Sequence, residues 1–367
     1  MLPVMKTASK ANGVMFILML VGMFAYSLPA VFNFARNQTQ SMDMFFDGEL
    51  LRKFETFYDK RLFLRDASVQ QWANVQYLLF HEGTSGAVFG RDGWLFSNQE
   101  YLVPNDLVGN VDDQLAQIAK VRATLEASGK QLIILPVPLK LDVERRHALE
   151  QPSDQLLGLH DEFVSRLQQQ QVVVSPVRAT FMAAVDEQDM FLRNDTHWSP
   201  DGARLAAMEL ARQHPELIGA RHYASAVSGN KAVKGDLVNF LNFDPRLKPQ
   251  YFVPVDIQLY ETLDSEQRTG ADALFGEVQQ NLMLVGTSYS RIDDWNFVGF
   301  LKEALQSDML SIAVEAKGPF QAMDEFLASD ALKDPGLTTV IWEFPVRTLL
   351  AQRTTWRMKN QQNSTHF

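Results

Sequence analysis

Cysteine is absent from the 367-residue sequence. Its absence excludes disulfide bonds, iron–sulfur clusters and zinc sites built on thiolates. Basic residues are in deficit, because 34 Lys and Arg stand against 44 Asp and Glu and give a formal net charge of −10 at pH 7. No basic run follows the N-terminal region, so we expect no nucleic-acid partner. Repeats are missing as well, while an apolar fraction of 46% is ample for a folded core.

Charge is absent from one long stretch, residues 13–34, which reads GVMFILMLVGMFAYSLPAVFNF. This stretch is long enough to cross a bilayer as a helix. Lys6 and Lys10 precede it, so the positive-inside rule predicts a cytoplasmic tail at 1–12 and export of the remainder. A cleaved signal peptide, with a cut near Ala25-Tyr26-Ser27, is the alternative. We favour an uncleaved signal anchor at 13–34, because the apolar run exceeds a usual signal-peptide core.

The rest of the chain alternates helical patterns with short apolar runs. Residues 35–110 are expected to form a helical lead-in, helical over about 43–80, and a hairpin turning at Arg91-Asp92-Gly93. Alternating strands and helices predict an α/β domain over 111–358, a mostly parallel sheet flanked by helices on both faces. Within it, residues 221–276 lose the pattern, and extended structure at 251–260 suggests an insertion. Residues 359–367 form a polar tail.

One apolar run of this domain leads directly into a serine. Residues 281–291 read NLMLVGTSYSR, so a buried strand would end at Gly286 and present Ser288 in a sharp turn before a helix at about 293–306. Such a turn exposes the hydroxyl, and unpaired backbone N–H groups at a helix start can stabilise an oxyanion. Taken alone, a motif this short is more often a simple turn than a catalytic one.

A second motif, NDTHWSPDG at residues 194–202, precedes another predicted helix, which Ser199 and Pro200 would begin. His197 would act as the general base for Ser288, and Asp195 would orient the His197 ring. A hydrogen-bonded turn, with a capping role for Asp195, is the alternative interpretation. No other His or carboxylate repeats at ligand spacing around His197, so we expect no metal site.

Together these motifs resemble the AlgJ/AlgX family of bacterial polysaccharide O-acetyltransferases. Blocks at 90–96 (GRDGWLF), 234–237 (KGDL) and 342–347 (WEFPVR) are also similar to that family, so the likeness covers nearly the whole chain after the anchor. The membrane-anchored AlgJ-like branch is the nearer match, since AlgX-like members carry a C-terminal carbohydrate-binding module that this sequence has no room for. The resemblance implies a circularly permuted SGNH-hydrolase-like fold and a triad of Ser288, His197 and Asp195. Thr196 stands where many relatives have histidine.

The resemblance also implies a reaction and its partners. An acetyl group would pass through acetyl-Ser288 from a membrane-bound O-acyltransferase to a polysaccharide or a partner protein, without a cofactor. Alginate is the default polymer, with cellulose or another exopolysaccharide as alternatives, and AlgX-like or other periplasmic acetylation proteins would be partners. The chain would sit in the bacterial inner membrane, with its catalytic domain in the periplasm.

The oxyanion of the reaction would be held at the same turn as the nucleophile. Backbone N–H groups between Thr287 and Tyr289 are the predicted donors. Arg291 and Asn296 are further candidates for binding the oxyanion or positioning the donor, although an exposed Arg at a helix start is as often a solvated charge.

Two other functions remain open from the sequence. A periplasmic polysaccharide acetylesterase would use the same triad, because triad geometry does not decide whether water or a sugar hydroxyl resolves an acyl-enzyme. A non-catalytic assembly factor of a polysaccharide secretion complex would carry the triad as a vestige.

Overall fold

The structure is a computed structural model that describes residues 3–36, 49–59, 65–80, 86–265 and 280–351. Within it the chain divides into two compact units, Met1–Val75 and Gln76–Phe367. Parts of the expected lead-in and insertion, and the whole polar tail at 359–367, lie outside the described residues.

The first unit consists of α1 (Pro3–Arg36), α2 (Glu49–Asp59) and most of α3 (Arg65–Phe80). The stretch Asn12–Phe34 of α1 is long and apolar enough to cross a membrane, and none of its most apolar window is buried. Its exposed side chains are large and apolar, as in Phe16 and Leu18, which are 56% and 66% exposed. A helix that is apolar all round suits lipid better than water, so α1 is compatible with a single-pass anchor.

The second unit is an α/β domain. Its helices within the described residues are α4 (Leu107–Ala127), α5 (Lys140–Val143), α6 (Asp154–Leu157), α7 (Leu159–Gln169), α8 (Arg178–Ala184), α9 (Pro200–Gln213), α10 (Lys248–Tyr251), α11 (Ser288–Arg291), α12 (Phe297–Leu305) and α13 (Phe320–Ala328). Its strands are β1 (Ala87–Phe89), β2 (Leu95–Ser97), β3 (Gln131–Val137), β4 (Val173–Val174), β5 (Tyr223–Val233), β6 (Val255–Asp264), β7 (Leu282–Gly286), β8 (Met309–Ala313) and β9 (Thr339–Pro345).

Five strands form the central sheet in the order β4-β3-β9-β7-β8, and every neighbouring pair is parallel. Successive side chains of a strand point to opposite faces. Ile134 and Trp342 therefore join the core under α4, α7 and α13, whereas Ile133 and Ile341 join the core under α8, α9 and α12. The predicted parallel sheet with helices on both faces is confirmed.

One antiparallel hairpin and one antiparallel pair of strands that are further apart in the chain lie outside the central sheet. β1 pairs with β2 around a turn in which Asp92 and Gly93 have positive φ angles of 56° and 77°, as the predicted Asp-Gly turn requires. β5 pairs with β6, and the Tyr260 ring packs on Phe300 of α12 at 5.2 Å between centroids. The extended segment expected at 251–260 is displaced, because α10 ends at Tyr251 and β6 begins at Val255.

Residues between β5 and β6 reach back to the β1–β2 hairpin. Leu237 and Val238 are buried in a small core together with Ala87, Phe89 and Leu95 of β1 and β2. This packing fixes the segment 234–238 beside the loop that precedes α9, where it contributes to the candidate site.

Candidate active site

Ser288 lies at the carboxyl end of β7, at the centre of the parallel sheet. β7 ends at Gly286, Thr287 caps the next helix, and Ser288 is the first residue of α11. The helix expected at about 293–306 begins later, at Phe297, because Asn296 adopts a left-handed conformation with φ of 49° and separates it from a short 3-10 turn. Ser288 therefore opens a short helix of its own rather than preceding a long one. It is half-buried.

His197 lies in the loop before α9, as its sequence context predicts. The loop ends where the Ser199 hydroxyl accepts the Gly202 N–H at 3.0 Å and Pro200 takes the first helical position. The His197 Nε2 atom lies 2.7 Å from the Ser288 Oγ atom, although the two residues are 91 positions apart. The fold thus brings the predicted base to the predicted nucleophile.

Asp195 completes a hydrogen-bonded chain with these two residues. Its Oδ1 atom lies 2.6 Å from His197 Nδ1, and the same oxygen accepts the His197 backbone N–H at 2.9 Å. Its Oδ2 atom accepts the Asp236 N–H at 2.8 Å. Burial acts to raise the pKa of Asp195, but the hydrogen bonds and charge of His197 outweigh it and hold that pKa below its ordinary value. The carboxylate is therefore ionised where an imidazolium would form.

Asp236 binds the loop that carries Asp195 and His197. The sequence alone did not assign it a role. It accepts the Thr196 N–H at 2.8 Å and the Thr196 hydroxyl at 2.5 Å. The Thr196 carbonyl in turn accepts the Tyr289 hydroxyl at 2.5 Å, which joins the loop to the Ser288 turn. The sequence block at 234–237 could have indicated this role, because it contains Asp236 directly after a glycine. Gly235 has a φ of +82° and lets the backbone approach Asn194 closely.

Glu343 is a second residue that sequence reasoning did not single out. It is fully buried in β9, and its carboxyl group accepts the Thr287 N–H at 2.9 Å, the Thr287 hydroxyl at 2.9 Å and the Ser290 hydroxyl at 2.6 Å. Burial raises the pKa of Glu343 above its ordinary value. A glutamate inside the apolar run 339–344 was the signal, since a buried acid in a central strand needs a partner. Glu343 holds both sides of the turn that presents Ser288.

Lys140 is a third residue that contributes to the site and was not identified from the sequence. It is 1% exposed, and its three ammonium N–H groups are shared among the carbonyl oxygens of Leu95, Leu192, Arg193 and Asp195, which lie 2.6, 2.7, 3.1 and 2.8 Å from Nζ. Burial lowers the pKa of Lys140 to about 8, against the opposing charges of Glu100 and Asp195. These bonds tie the loop carrying Asp195 to β2, so Lys140 positions the loop without reaching the reacting atoms.

The three backbone N–H groups of the predicted oxyanion turn, at Thr287, Ser288 and Tyr289, differ in what they contact. The Thr287 N–H already donates to Glu343, and the Tyr289 N–H points at the Thr287 hydroxyl at 3.4 Å. Of these three groups, the Ser288 N–H has no acceptor among the residues that the structure describes. Within the predicted turn, Ser288 therefore has the N–H that is available to an oxyanion.

Arg291 and Asn296 also make their hydrogen bonds elsewhere. The Arg291 guanidinium donates to the Ala313 carbonyl at 3.1 Å and lies 3.4 Å from Glu315. The Asn296 amide donates to the Thr262 hydroxyl at 3.0 Å. Within the described residues, no hydrogen bond joins either side chain to Ser288 or His197.

Two groups of acidic and histidine side chains lie close enough together to raise the question of a metal. Asp195, His197 and Asp236 form one, with their candidate ligand atoms within 4.8 Å of one another, and Glu144, His147 and Asp189 form the other. In the first, every member already has hydrogen-bond partners. In the second, the Arg146 guanidinium lies 2.6 Å from Asp189 and occupies the place of a cation. Neither group favours a metal over the contacts that it makes.

Similarity to known proteins identifies the family of this chain. A family model described as "SGNH hydrolase-like domain, acetyltransferase AlgX" matches residues 87–346. A Pseudomonas putida protein named "Probable alginate O-acetylase AlgJ" is 36% identical over 341 residues, which cover 91% of this chain and 88% of the relative. The chain belongs to this acetyltransferase family. The resemblance inferred from the motifs is thereby confirmed, including its likeness to the AlgJ branch.

Solved structures of the AlgJ/AlgX family agree with the fold. The O-acetyltransferase domain of Pseudomonas putida AlgJ is 33% identical and matches with a TM-score of 0.66, covering 74% of this chain and 95% of that one. Pseudomonas aeruginosa AlgX, 21% identical, matches with a TM-score of 0.55 over 77% of this chain and 70% of that one, a likeness in fold. The SGNH-hydrolase-like fold expected from the motifs is confirmed.

Proposed function

We propose that this protein is an alginate O-acetyltransferase that works through an acetyl-Ser288 intermediate. The observation that carries the proposal is the hydrogen-bonded chain from Ser288 through His197 to Asp195 at the carboxyl edge of the sheet. Family membership supports acetyl transfer as the reaction, and the names of the AlgJ relatives support alginate as the acceptor.

The first half-reaction acetylates the enzyme. His197 Nε2 takes the proton of the Ser288 hydroxyl as the Oγ atom attacks the acetyl carbonyl carbon of the donor. The Ser288 N–H donates to the oxyanion that forms, and Asp195 stabilises the imidazolium. When the tetrahedral intermediate collapses, the bond from the acetyl carbon to the donor oxygen breaks, and His197 gives its proton to that oxygen.

The second half-reaction reverses these roles with a sugar hydroxyl. His197 takes the hydroxyl proton as the sugar oxygen attacks the acetyl carbon of acetyl-Ser288. The bond between that carbon and Ser288 Oγ then breaks, and the proton returns to Ser288 through His197. The products are an acetylated polymer and the starting enzyme, so no redox or cofactor chemistry enters the step.

Location and partners form part of the same proposal. Residues 13–34 anchor the chain in the bacterial inner membrane, residues 1–12 remain cytoplasmic, and the catalytic domain at 111–358 faces the periplasm with the lead-in at 35–110. Acetyl-CoA is a cytoplasmic donor, so a membrane-bound O-acyltransferase supplies the acetyl group, and an AlgX-like protein is a partner in its transfer. The apolar, exposed surface of α1 supports the anchor.

The proposal is tested with the full chain in detergent. Incubation with 4-nitrophenyl acetate is expected to add one acetyl group at Ser288, detected by mass spectrometry of peptides. Ser288→Ala abolishes the adduct, while Ser311→Ala, which removes an exposed hydroxyl on β8, leaves it. Alginate oligomers are expected to take up the acetyl group from the labelled protein.

Two outcomes contradict the proposal. Release of the acetyl group as free acetate, with none on the oligomer, indicates an acetylesterase. No adduct on the wild-type chain excludes both enzymatic functions and leaves the assembly role.

A further inference from the structure

Arg347 lies at the same edge of the sheet as Ser288. It is the second residue after β9, in the 3-10 segment Val346–Leu350. β9 runs parallel to β7, so the carboxyl ends of the two strands meet at one edge. The segment is held from the other side, where the Asn110 amide donates to the Leu349 carbonyl at 3.1 Å. Arg347 is therefore fixed beside the candidate site rather than on a free tail.

The Arg347 guanidinium has no hydrogen bond or salt bridge to any residue in the described ranges of the chain, although it is half-buried. A guanidinium carries five N–H donors, and leaving them unfilled away from water is costly. Another partly buried arginine shows the usual solution, since Arg178 donates to both oxygens of Asp142, at 2.5 and 3.0 Å. Arg347 instead keeps its donors available.

Acidic side chains interact electrostatically with Arg347 without bonding to it. They are Glu100, Asp236 and Asp195, whereas the neighbouring Tyr289 phenol is neutral because burial raises its pKa. Each of these carboxylates has its own donors: the Leu141 N–H for Glu100, Thr196 for Asp236, and His197 for Asp195.

The field around the site therefore opposes an anionic acceptor. A polymer that carries one carboxylate on every sugar is repelled by the carboxylates of Asp195 and Asp236 and by a net charge of −10. The Arg347 cation, with free donors at the same edge of the sheet as Ser288, offsets this repulsion.

We propose that Arg347 binds the carboxylate of a uronosyl residue of the acceptor polymer while a hydroxyl of that polymer approaches acetyl-Ser288. The inference rests on the proposed function and adds the residue that selects a uronate acceptor. The planar guanidinium matches a carboxylate with two parallel hydrogen bonds, a geometry that a neutral sugar does not reproduce. Arg347 acts in the second half-reaction, because the acetyl donor reaches Ser288 without a uronate.

The test separates the two half-reactions and two acceptors. Full-length protein in detergent is acetylated with 4-nitrophenyl acetate, and the rate of acetyl-Ser288 formation is measured without acceptor. Transfer is then measured to mannuronate oligomers and to the same oligomers with their carboxyl groups reduced to alcohols. The variants are Arg347→Met and Arg347→Lys, with Arg246→Met as a control, since the Arg246 side chain is 88% exposed.

Arg347→Met is expected to lower kcat/KM for mannuronate oligomers by about 10- to 100-fold, the value of a charge-assisted pair of hydrogen bonds. Its kcat/KM for the reduced oligomers and its rate of acetyl-Ser288 formation stay within about 2-fold of wild type. Arg347→Lys recovers part of the loss because it keeps the charge without the fork. Arg246→Met matches wild type on both acceptors.

Equal losses on both acceptors, or a slower formation of acetyl-Ser288, overturn the inference and assign Arg347 to structure or to the oxyanion. If Arg347→Met does not fold, wild type decides: a preference for mannuronate over reduced oligomers supports the inference, and equal use of both overturns it. A wild-type chain that forms no acetyl-Ser288 overturns the proposed function itself, and the inference with it.

Discussion

Glu343 allows the strongest test of how the sheet positions the Ser288 turn. Its buried carboxyl group accepts three hydrogen bonds, from the Thr287 N–H, the Thr287 hydroxyl and the Ser290 hydroxyl. Glu343→Ala removes both carboxyl oxygens, and with them all three hydrogen bonds, and leaves a small cavity. Glu343→Gln keeps the shape and an acceptor oxygen for the Thr287 N–H, while its amide can donate to the Thr287 hydroxyl.

The magnitudes follow from these contacts. An unsatisfied buried N–H costs about 1–3 kcal/mol and each lost hydroxyl bond about 1 kcal/mol. With a modest cavity term, we expect Glu343→Ala to lower the free energy of unfolding by about 3–5 kcal/mol. Glu343→Gln is expected to stay within about 1 kcal/mol of wild type near neutral pH. In activity, Glu343→Ala slows acetyl-Ser288 formation about 100-fold because the nucleophile is misplaced, and Glu343→Gln restores most of it.

The pH dependence has a definite sign. Burial raises the pKa of Glu343 in the folded chain, so its contribution to stability is fully present below its unfolded pKa and is lost as pH rises through the folded one. Glu343→Gln does not titrate there. Its stability relative to wild type should therefore increase with pH above the ordinary glutamate range.

Guanidinium unfolding at several pH values measures the stabilities, and mass spectrometry with 4-nitrophenyl acetate measures the acetylation rate. Glu187→Ala, at an exposed position, is the matched control. The reasoning is refuted if Glu343→Ala stays within about 1 kcal/mol of wild type, or if the Gln and Ala variants are equally impaired.

Three further predictions concern Lys140, Glu144 and Gly286. Lys140→Met removes the ammonium donor of four carbonyls, of which those of Leu192 and Arg193 keep a backbone N–H, so we expect a loss of about 2–4 kcal/mol in denaturant unfolding, whereas exposed Lys317→Met has no effect. Burial raises the pKa of Glu144 from 4.5 to about 7, so stability should fall by about 3 kcal/mol across that pH window, and Glu144→Gln should flatten this part of the profile. Gly286→Ala would place a Cβ atom 2.5 Å from the Ser290 hydroxyl, so we expect about 1–3 kcal/mol of destabilisation and slower acetylation; an unchanged melting temperature would contradict this.

Features that depend on neighbours along the chain were predictable from the sequence. The uncharged run at 13–34 indicates a spanning helix because composition alone decides whether a segment suits lipid. Alternating periods of apolar residues predict the α/β class, because side-chain direction repeats locally in helices and strands. The turn before Ser288 and the helix start after His197 follow from Gly286, Ser199 and Pro200 in the same way.

Contacts between distant segments could be decided only by the tertiary structure. The order β4-β3-β9-β7-β8 places Glu343 beside a turn that lies 56 positions earlier, and nothing in either segment alone specifies that pairing. The same order decides that the Thr287 N–H is engaged and that Arg347 stands at the edge with Ser288. The physical reason is that local pattern sets which face a residue occupies, whereas strand order, set by the packing of the whole sheet, sets which residues meet across it.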